Sequence, residues 1–310
     1  MSSQHFALLP TTVILGLAAT ATNAEVSQAS LPGDTVWYLH ADLEELRDAA
    51  SGKHIYQWLK EEVFTDVRED LGIDLGKEAS SLTAFSDAAL GTVIVVDGDI
   101  TDSTRNKLIA IAVADSKLET LKHDGRTYYH AERQQTRSDE NRRFDDLEKS
   151  AYFSFDVENK VIVASDAEQL KALLDSGGRI AGNQSHPGAL LVLTADKSFV
   201  QAGVRTAQFT DEDDEGWDSN ILRNTELVAL LVSDRNGLLA VEAQLVSHEP
   251  TMAQSLGGII NGLISLKALD ESLDPDILTL IQNTKIEVKD KILSINAVIN
   301  PELVIRVLED

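Results

Sequence analysis

Six carboxylates fall within eight positions at Asp211-Glu-Asp-Asp-Glu-Gly-Trp-Asp218, the densest concentration of chemically capable side chains in the chain. Read as a calcium loop, the segment offers oxygen ligands at Asp211, Asp213 and Glu215, a Gly216 for the sharp turn, and Asp218 beyond it. The closing position argues against an EF-hand. Counted from Asp211, the twelfth residue, where a bidentate Glu belongs, is Leu222. The segment therefore reads first as a solvated acidic loop, with Asp211, Asp213, Glu215 and Asp218 as its weak metal candidates.

The histidines are dispersed, at positions 40, 54, 123, 130, 186 and 248 after His5, and none has the tight spacing of a metal motif. His123 and His130 flank an Asp124-Gly125 turn and could meet across a hairpin, with Tyr128 and Tyr129 near them. His40 stands two residues before Asp42, but a triad also needs a serine elbow, and Gly-x-Ser-x-Gly is absent. Ser176-Gly177-Gly178 lacks the following Gly-Lys-Ser/Thr of a phosphate loop, and Gly257, Gly258 and Gly262 sit within a helical pattern. No catalytic residue and no cofactor follows from these spacings.

Composition narrows the chemistry further. The chain has 310 residues, no cysteine, and 51 Asp+Glu against 27 Lys+Arg, a formal net charge of −24. Disulfides, thiolate metal sites and thiol catalysis are excluded. A nucleic-acid partner is disfavoured, because phosphate binding needs clustered Lys and Arg. The one basic concentration, Arg133, Arg137, Arg142 and Arg143, is interleaved with Asp139, Glu140, Asp145 and Asp146, so its net field is small.

Residues 1–24 contain no Asp, Glu, Lys or Arg, and Phe6–Ala21 is apolar and ends in small residues. That is the pattern of a secretory signal, cleaved after Ala24 or Ala21. The run includes Pro10 and Gly16 and is shorter than the roughly 20 residues that span a bilayer. A soluble, periplasmic or secreted protein with no membrane span after signal removal is expected.

The elements that must position any site are written twice. Val36–Ala41 alternates as a half-buried strand, and Asp42 is placed to cap the helix that follows. After Ser51-Gly52 a second helical stripe is predicted through Ile55, Trp58, Leu59, Val63 and Val67. Leu39-His-Ala-Asp42 matches Leu193-Thr-Ala-Asp196 at an offset of 154. The strand pair Leu82–Ser86 and Thr92–Val96 matches Leu227–Ser233 and Leu238–Leu245, with Ser86-Asp87 aligned to Ser233-Asp234 at an offset of 147. The strand-turn-strand-helix unit at Phe153–Leu174 matches Ile286–Leu308, at an offset of 131 between Val157 and Val288. Three blocks in the same order indicate a duplicated unit whose second copy is 23 residues shorter. The missing length corresponds to a hairpin at Leu118–Ala131 and a polar insertion at 132–149, offset in part by longer helices at Pro250–Leu269 and Pro275–Gln282.

The fold class is accordingly α+β: two similar domains, each an antiparallel-rich sheet with helices on one face. The expected layout is a signal at 1–24, a polar lead at 25–33, a first domain at 34–178, a linker at 179–187 and a second domain at 188–310. With its strand, Asp42-Leu-Glu-Glu-Leu46 and the Ser51-Gly-Lys pause, the chain resembles a loose group of exported bacterial proteins of unknown function with duplicated α+β domains. The resemblance implies a periplasmic or surface protein and carries over no catalytic residue. The expected function is non-enzymatic binding of a protein, peptide or envelope component. The alternatives are a hydrolase with a carboxylate site between the domains, or a divalent-cation-responsive protein using residues 211–218.

Overall fold

The computed structural model describes residues 35–133, 147, 150–180, 188–200, 225–270 and 273–309. The proposed signal, most of the polar insertion, most of the linker and the acidic loop lie outside them. The first unit contains β1 (Thr35–Asp42), α1 (Leu43–Asp48), α2 (Gly52–Leu59), a π-helical turn (Lys60–Phe64), α3 (Thr65–Leu71), α4 (Leu75–Glu78), β2 (Ala79–Asp87) and β3 (Gly91–Gly98). It continues through α5 (Asp102–Asp115), β4 (Ser116–His123), β5 (Arg126–Arg133), β6 (Ser150–Ser154), β7 (Lys160–Ala164) and α6 (Ala167–Asp175). The second contains β8 (Ala189–Asp196), β9 (Thr225–Arg235), β10 (Leu238–Ser247), α7 (Pro250–Lys267), α8 (Pro275–Asn283), β11 (Lys285–Lys289), β12 (Ile292–Ile299) and α9 (Pro301–Glu309).

The class is α+β. The twelve strands of the described residues join one antiparallel sheet in the order β11-β12-β10-β9-β8-β1-β2-β3-β7-β6-β5-β4. The duplicated units meet edge to edge at β1 and β8, where Leu39 stands opposite Leu193. These two residues are equivalents at the sequence offset of 154, so a pseudo-two-fold axis passes between them. Outward from that axis, β1-β2-β3-β7-β6 on one side is matched by β8-β9-β10-β12-β11 on the other. Local chemistry repeats too. Asp42 accepts the Glu45 N–H at 2.8 Å, and Asp196 accepts the Phe199 N–H at 2.9 Å, the same cap 154 residues later. The β6–β7 and β11–β12 connections both contain a residue in the left-handed region, Asn159 (φ 57°) and Asp290 (φ 55°), at the offset of 131.

Beyond β6 the symmetry stops. The first unit adds the β4–β5 hairpin, turning through Asp124 (φ 46°) and Gly125 (φ 81°), the pair of positive φ angles that a two-residue hairpin turn demands. The second unit has α8 in that stretch of chain.

Register assigns the two faces of the sheet. Tyr38, Phe85, Val93 and Ala164 are successive cross-strand partners and, with Leu170, Leu173 and Leu174 of α6, form one core. On the other face a second core draws from both units: Leu43, Leu46 and Phe64 from the first, Leu190 and Leu239 from the second, with Ile299 and Val304 packed alongside. The units are thus tied through a shared core as well as a shared sheet. A polar clamp reinforces the junction. Ser51, fully buried between α1 and α2, donates its backbone N–H (2.9 Å) and its hydroxyl (2.6 Å) to the same oxygen of Asp234 near the end of β9.

Three details depart from the sequence reading. The predicted stripe on α2 fails at Val63, which is 41% exposed, while Phe64 is buried at 9%. The π turn inserts one extra residue into the helical phase, so the core position passes from 63 to 64. The four-residue spacing of Gly258 and Gly262 predicts that α7 lies close to a neighbour through them, but the approach is made by Gly257: a Cβ there would lie 2.6 Å from Val288 Cγ2, whereas the other two face open space. Helix α5 was not anticipated, because its Leu108, Ile109, Ile111 and Val113 do not gather on one stripe, and Val113 is 58% exposed.

Candidate functional site

The phase shift at the π turn also shapes a concavity in the first unit. Thr65 holds the turn: its backbone N–H reaches the Lys60 carbonyl, an i to i+5 bond, and its hydroxyl donates to the same oxygen at 2.7 Å. Lys60 from the turn and Arg68 from α3 then line the same hollow that Phe64 closes from inside. Arg47 enters from α1 and Tyr56 from α2, while the 74–77 segment supplies Asp74, Gly76 and Lys77 as the opposite wall. The cavity encloses about 300 Å³, near the lower end of the range for small-molecule sites.

Its walls are internally braced. The Gly76 carbonyl accepts the Tyr56 hydroxyl at 2.6 Å and an Arg47 guanidinium N–H at 3.4 Å. A side chain at Gly76 would crowd this arrangement, since a Cβ there lies 3.2 Å from Tyr56 Oη and 3.4 Å from Phe64 Cδ2. Arg47 lies over the Tyr56 ring at 5.9 Å, and Tyr56 meets Phe64 edge to face at a centroid distance of 5.9 Å. Asp74 pairs with Lys77 at 2.9 Å. The Lys77 hydrogen bond, helped by the charges of Lys77 and Arg68, holds the Asp74 carboxyl below its usual range, although partial burial opposes the shift.

The charge balance is what sets the hollow apart. Four cations and one carboxylate line it, in a chain whose net charge is −24. Among the described residues, Lys60 and Arg68 make no ion pair and no side-chain hydrogen bond. Two cations without a direct ion-pair partner, beside an aromatic wall, suit an anionic group carried on a ring or apolar body. Both hydroxyls of the lining are engaged, Tyr56 with the Gly76 carbonyl and Thr65 with the π turn. The arrangement is equipped to bind and orient an anion.

The sequence-based candidates fare differently. Asp211, Asp213, Glu215 and Asp218 lie outside the described residues. His123 and His130 do not meet: cross-strand register places His123 opposite Arg126 and His130 opposite Glu119. His130 stacks on Tyr152 at 4.4 Å and lies 2.9 Å from Ser150 Oγ, while His123 faces Asp175. His40 Nδ1 lies 2.8 Å from Thr83 Oγ1, and Asp42 serves as the α1 cap. The pocket itself was not anticipated, because its basic residues are scattered over 31 positions from Arg47 to Lys77 and only the π turn gathers them.

No protein-family model matches the chain, and no curated protein matches it in sequence. Solved structures similar to it include crystal form IV of TP0453, at 12% identity and a TM-score of 0.49, covering 91% of this chain and 96% of that one. Crystal form III of TP0453 aligns at 11% identity and a TM-score of 0.45, over 90% of this chain and 96% of that chain. Crystal form I aligns at 12% identity and a TM-score of 0.42, over 92% and 97%.

Proposed function

We propose that this is an exported, non-enzymatic binding protein whose pocket at the π turn holds a small molecule carrying a carboxylate or phosphate on a ring or apolar body. Export rests on the uncharged, small-residue-terminated pattern of residues 1–24. Binding rests on one observation above the rest: Lys60 and Arg68 stand without ion-pair partners among the described residues, beside the Tyr56–Phe64 wall, in a strongly acidic chain. Desolvating an anion is offset where several cations focus the field and the aromatic wall takes the apolar portion.

The test uses phenyl phosphate, inorganic phosphate and neutral benzyl alcohol as probes on the purified full chain, read by calorimetry and by the fluorescence of Trp58 in α2. Phenyl phosphate should bind, inorganic phosphate more weakly and benzyl alcohol not measurably. Lys60→Ala and Arg68→Ala should each weaken phenyl phosphate by about tenfold, the scale of one charge-assisted hydrogen bond. Equal binding of the neutral probe, or affinity unchanged in both variants, would refute the assignment.

A further inference from the structure

The tip of the β4–β5 hairpin and the last residue of α6 bring together His123, Asp124 and Asp175. One ligand atom from each lies within 4.8 Å of the others, and His123 Nε2 is 2.9 Å from Asp175 Oδ1. We propose that these three side chains bind a first-row divalent metal ion of the Zn²⁺ or Co²⁺ type, which fastens the inserted hairpin to α6.

An ion pair between His123 and Asp175 accounts for two of the three groups; Asp124 also holds the φ 46° position of the turn, and its carboxylate is the third donor of the cluster. Two carboxylates converge on one imidazole, so even a protonated His123 leaves the cluster net negative. The C-terminus of α6, which ends at Asp175, adds the negative end of a helix dipole. Arg126, the cross-strand partner of His123, donates to the Leu174 carbonyl. Two carboxylates against that one neighbouring guanidinium leave the site net negative, which favours a compact cation.

Geometry and chemistry agree on its class. Metal–nitrogen and metal–oxygen distances of about 2.0–2.2 Å put neighbouring donor atoms roughly 3–3.5 Å apart, so side-chain adjustments on the order of 1 Å close the three donors on one ion. An imidazole with two carboxylates suits borderline first-row ions over hard Ca²⁺, which prefers six to eight oxygens. All three side chains are reachable from solvent, His123 at 25% and Asp175 at 52% exposure, so water can complete the shell.

The location supplies a role. The hairpin has no counterpart in the second unit, and β4 is the last strand of the sheet, with no further strand beyond it among the described residues. Its tip is tied to the rest of the fold by Arg126 on the Leu174 carbonyl and by the His123–Asp175 contact. A metal ion spanning the turn and the helix end would convert a pair contact into a fixed joint.

The test takes the full chain stripped with chelator and titrates Zn²⁺ by calorimetry and Co²⁺ by visible absorption, with Ca²⁺ as the hard-ion control. One ion per chain should bind in a discrete step, with a Co²⁺ spectrum showing nitrogen ligation and with Ca²⁺ far weaker. His123→Gln and Asp175→Asn should each weaken that step by about tenfold or more. Asp124→Asn, which leaves the His123–Asp175 pair intact, should do the same without lowering the melting temperature of the metal-free protein, separating metal binding from the ion pair. Hydrogen exchange at residues 121–127 should slow on adding Zn²⁺. The proposal is overturned if no discrete step appears at millimolar ion, if the step survives His123→Gln, or if Ca²⁺ binds as well as Zn²⁺.

Discussion

Replacing Asp234 with Ala removes one side chain from the end of β9 in the second unit and leaves two donors of the first unit unsatisfied. Ser51 is fully buried, and both its backbone N–H and its hydroxyl end on the same Asp234 oxygen, at 2.9 and 2.6 Å. A hydrogen bond to a charged group is worth about 1.5–3 kcal/mol, and a buried donor left without a partner costs about 1–3 kcal/mol. These are alternative ways of counting the same loss, so Asp234→Ala should destabilise the protein by about 2 kcal/mol, lowering the melting temperature by about 4–8 °C. Ser51→Ala deletes only the hydroxyl and should cost about 1 kcal/mol. The two changes should be less than additive, because they share one oxygen. The bond also carries a pH signature. Ser51 hydrogen bonds hold the Asp234 carboxyl below its usual range, so its contribution is present above the unfolded value of about 3.9 and is lost as pH falls through the lower folded value. Urea unfolding of wild type and Asp234→Asn at neutral pH and at a series of values below about pH 4 measures the gap between them. That gap should narrow on acidification. A gap that stays constant with pH, or an Asp234→Ala loss below about 0.5 kcal/mol, would refute the clamp.

Thr65→Val keeps side-chain volume but removes the hydroxyl that braces the Lys60 carbonyl; it should cost about 1 kcal/mol and weaken phenyl phosphate binding without touching the ligand. Gly257→Ala should destabilise by about 1–3 kcal/mol through the 2.6 Å approach to Val288, whereas Gly258→Ala, facing open space one residue away, should stabilise by up to about 1 kcal/mol; paired thermal melts read the opposite signs. Tyr38 is 3% exposed and burial pushes its phenol up to about 12, so an ultraviolet titration should show one tyrosine ionising late. Its contribution to stability is full below the unfolded value of about 10 and fades as pH rises towards 12.

What the sequence reveals follows from how local each signal is. Strand-helix junctions such as Leu39–Asp42 and Leu193–Asp196 were legible because alternation and an Asp cap are written in adjacent residues, and the repeat made each copy support the other. The Asp124-Gly125 turn was legible for the same reason. Edge-to-edge fusion of the units was not, since the Leu39–Leu193 pairing is a contact between residues 154 apart. The π turn escaped because no residue type encodes it: a 3.6-residue period assigns Val63 to the core, and only tertiary packing of Phe64 against α1 and the second unit shows that the phase has slipped. Missing that slip meant missing the pocket. The acidic run drew attention through composition, yet composition alone assigned it no partner.

The axis between Leu39 and Leu193 has an evolutionary reading. A two-fold antiparallel strand pair is what two identical chains make when they associate through one exposed edge, so the centre of this sheet has the form of a homodimer interface contained within a single polypeptide. Tandem fusion of such a gene makes the partnership independent of concentration and releases each half from being identical to the other. The β4–β5 hairpin in one copy, and α8 in the same stretch of the other, are differences that a symmetric ancestor would have had to bear twice or not at all.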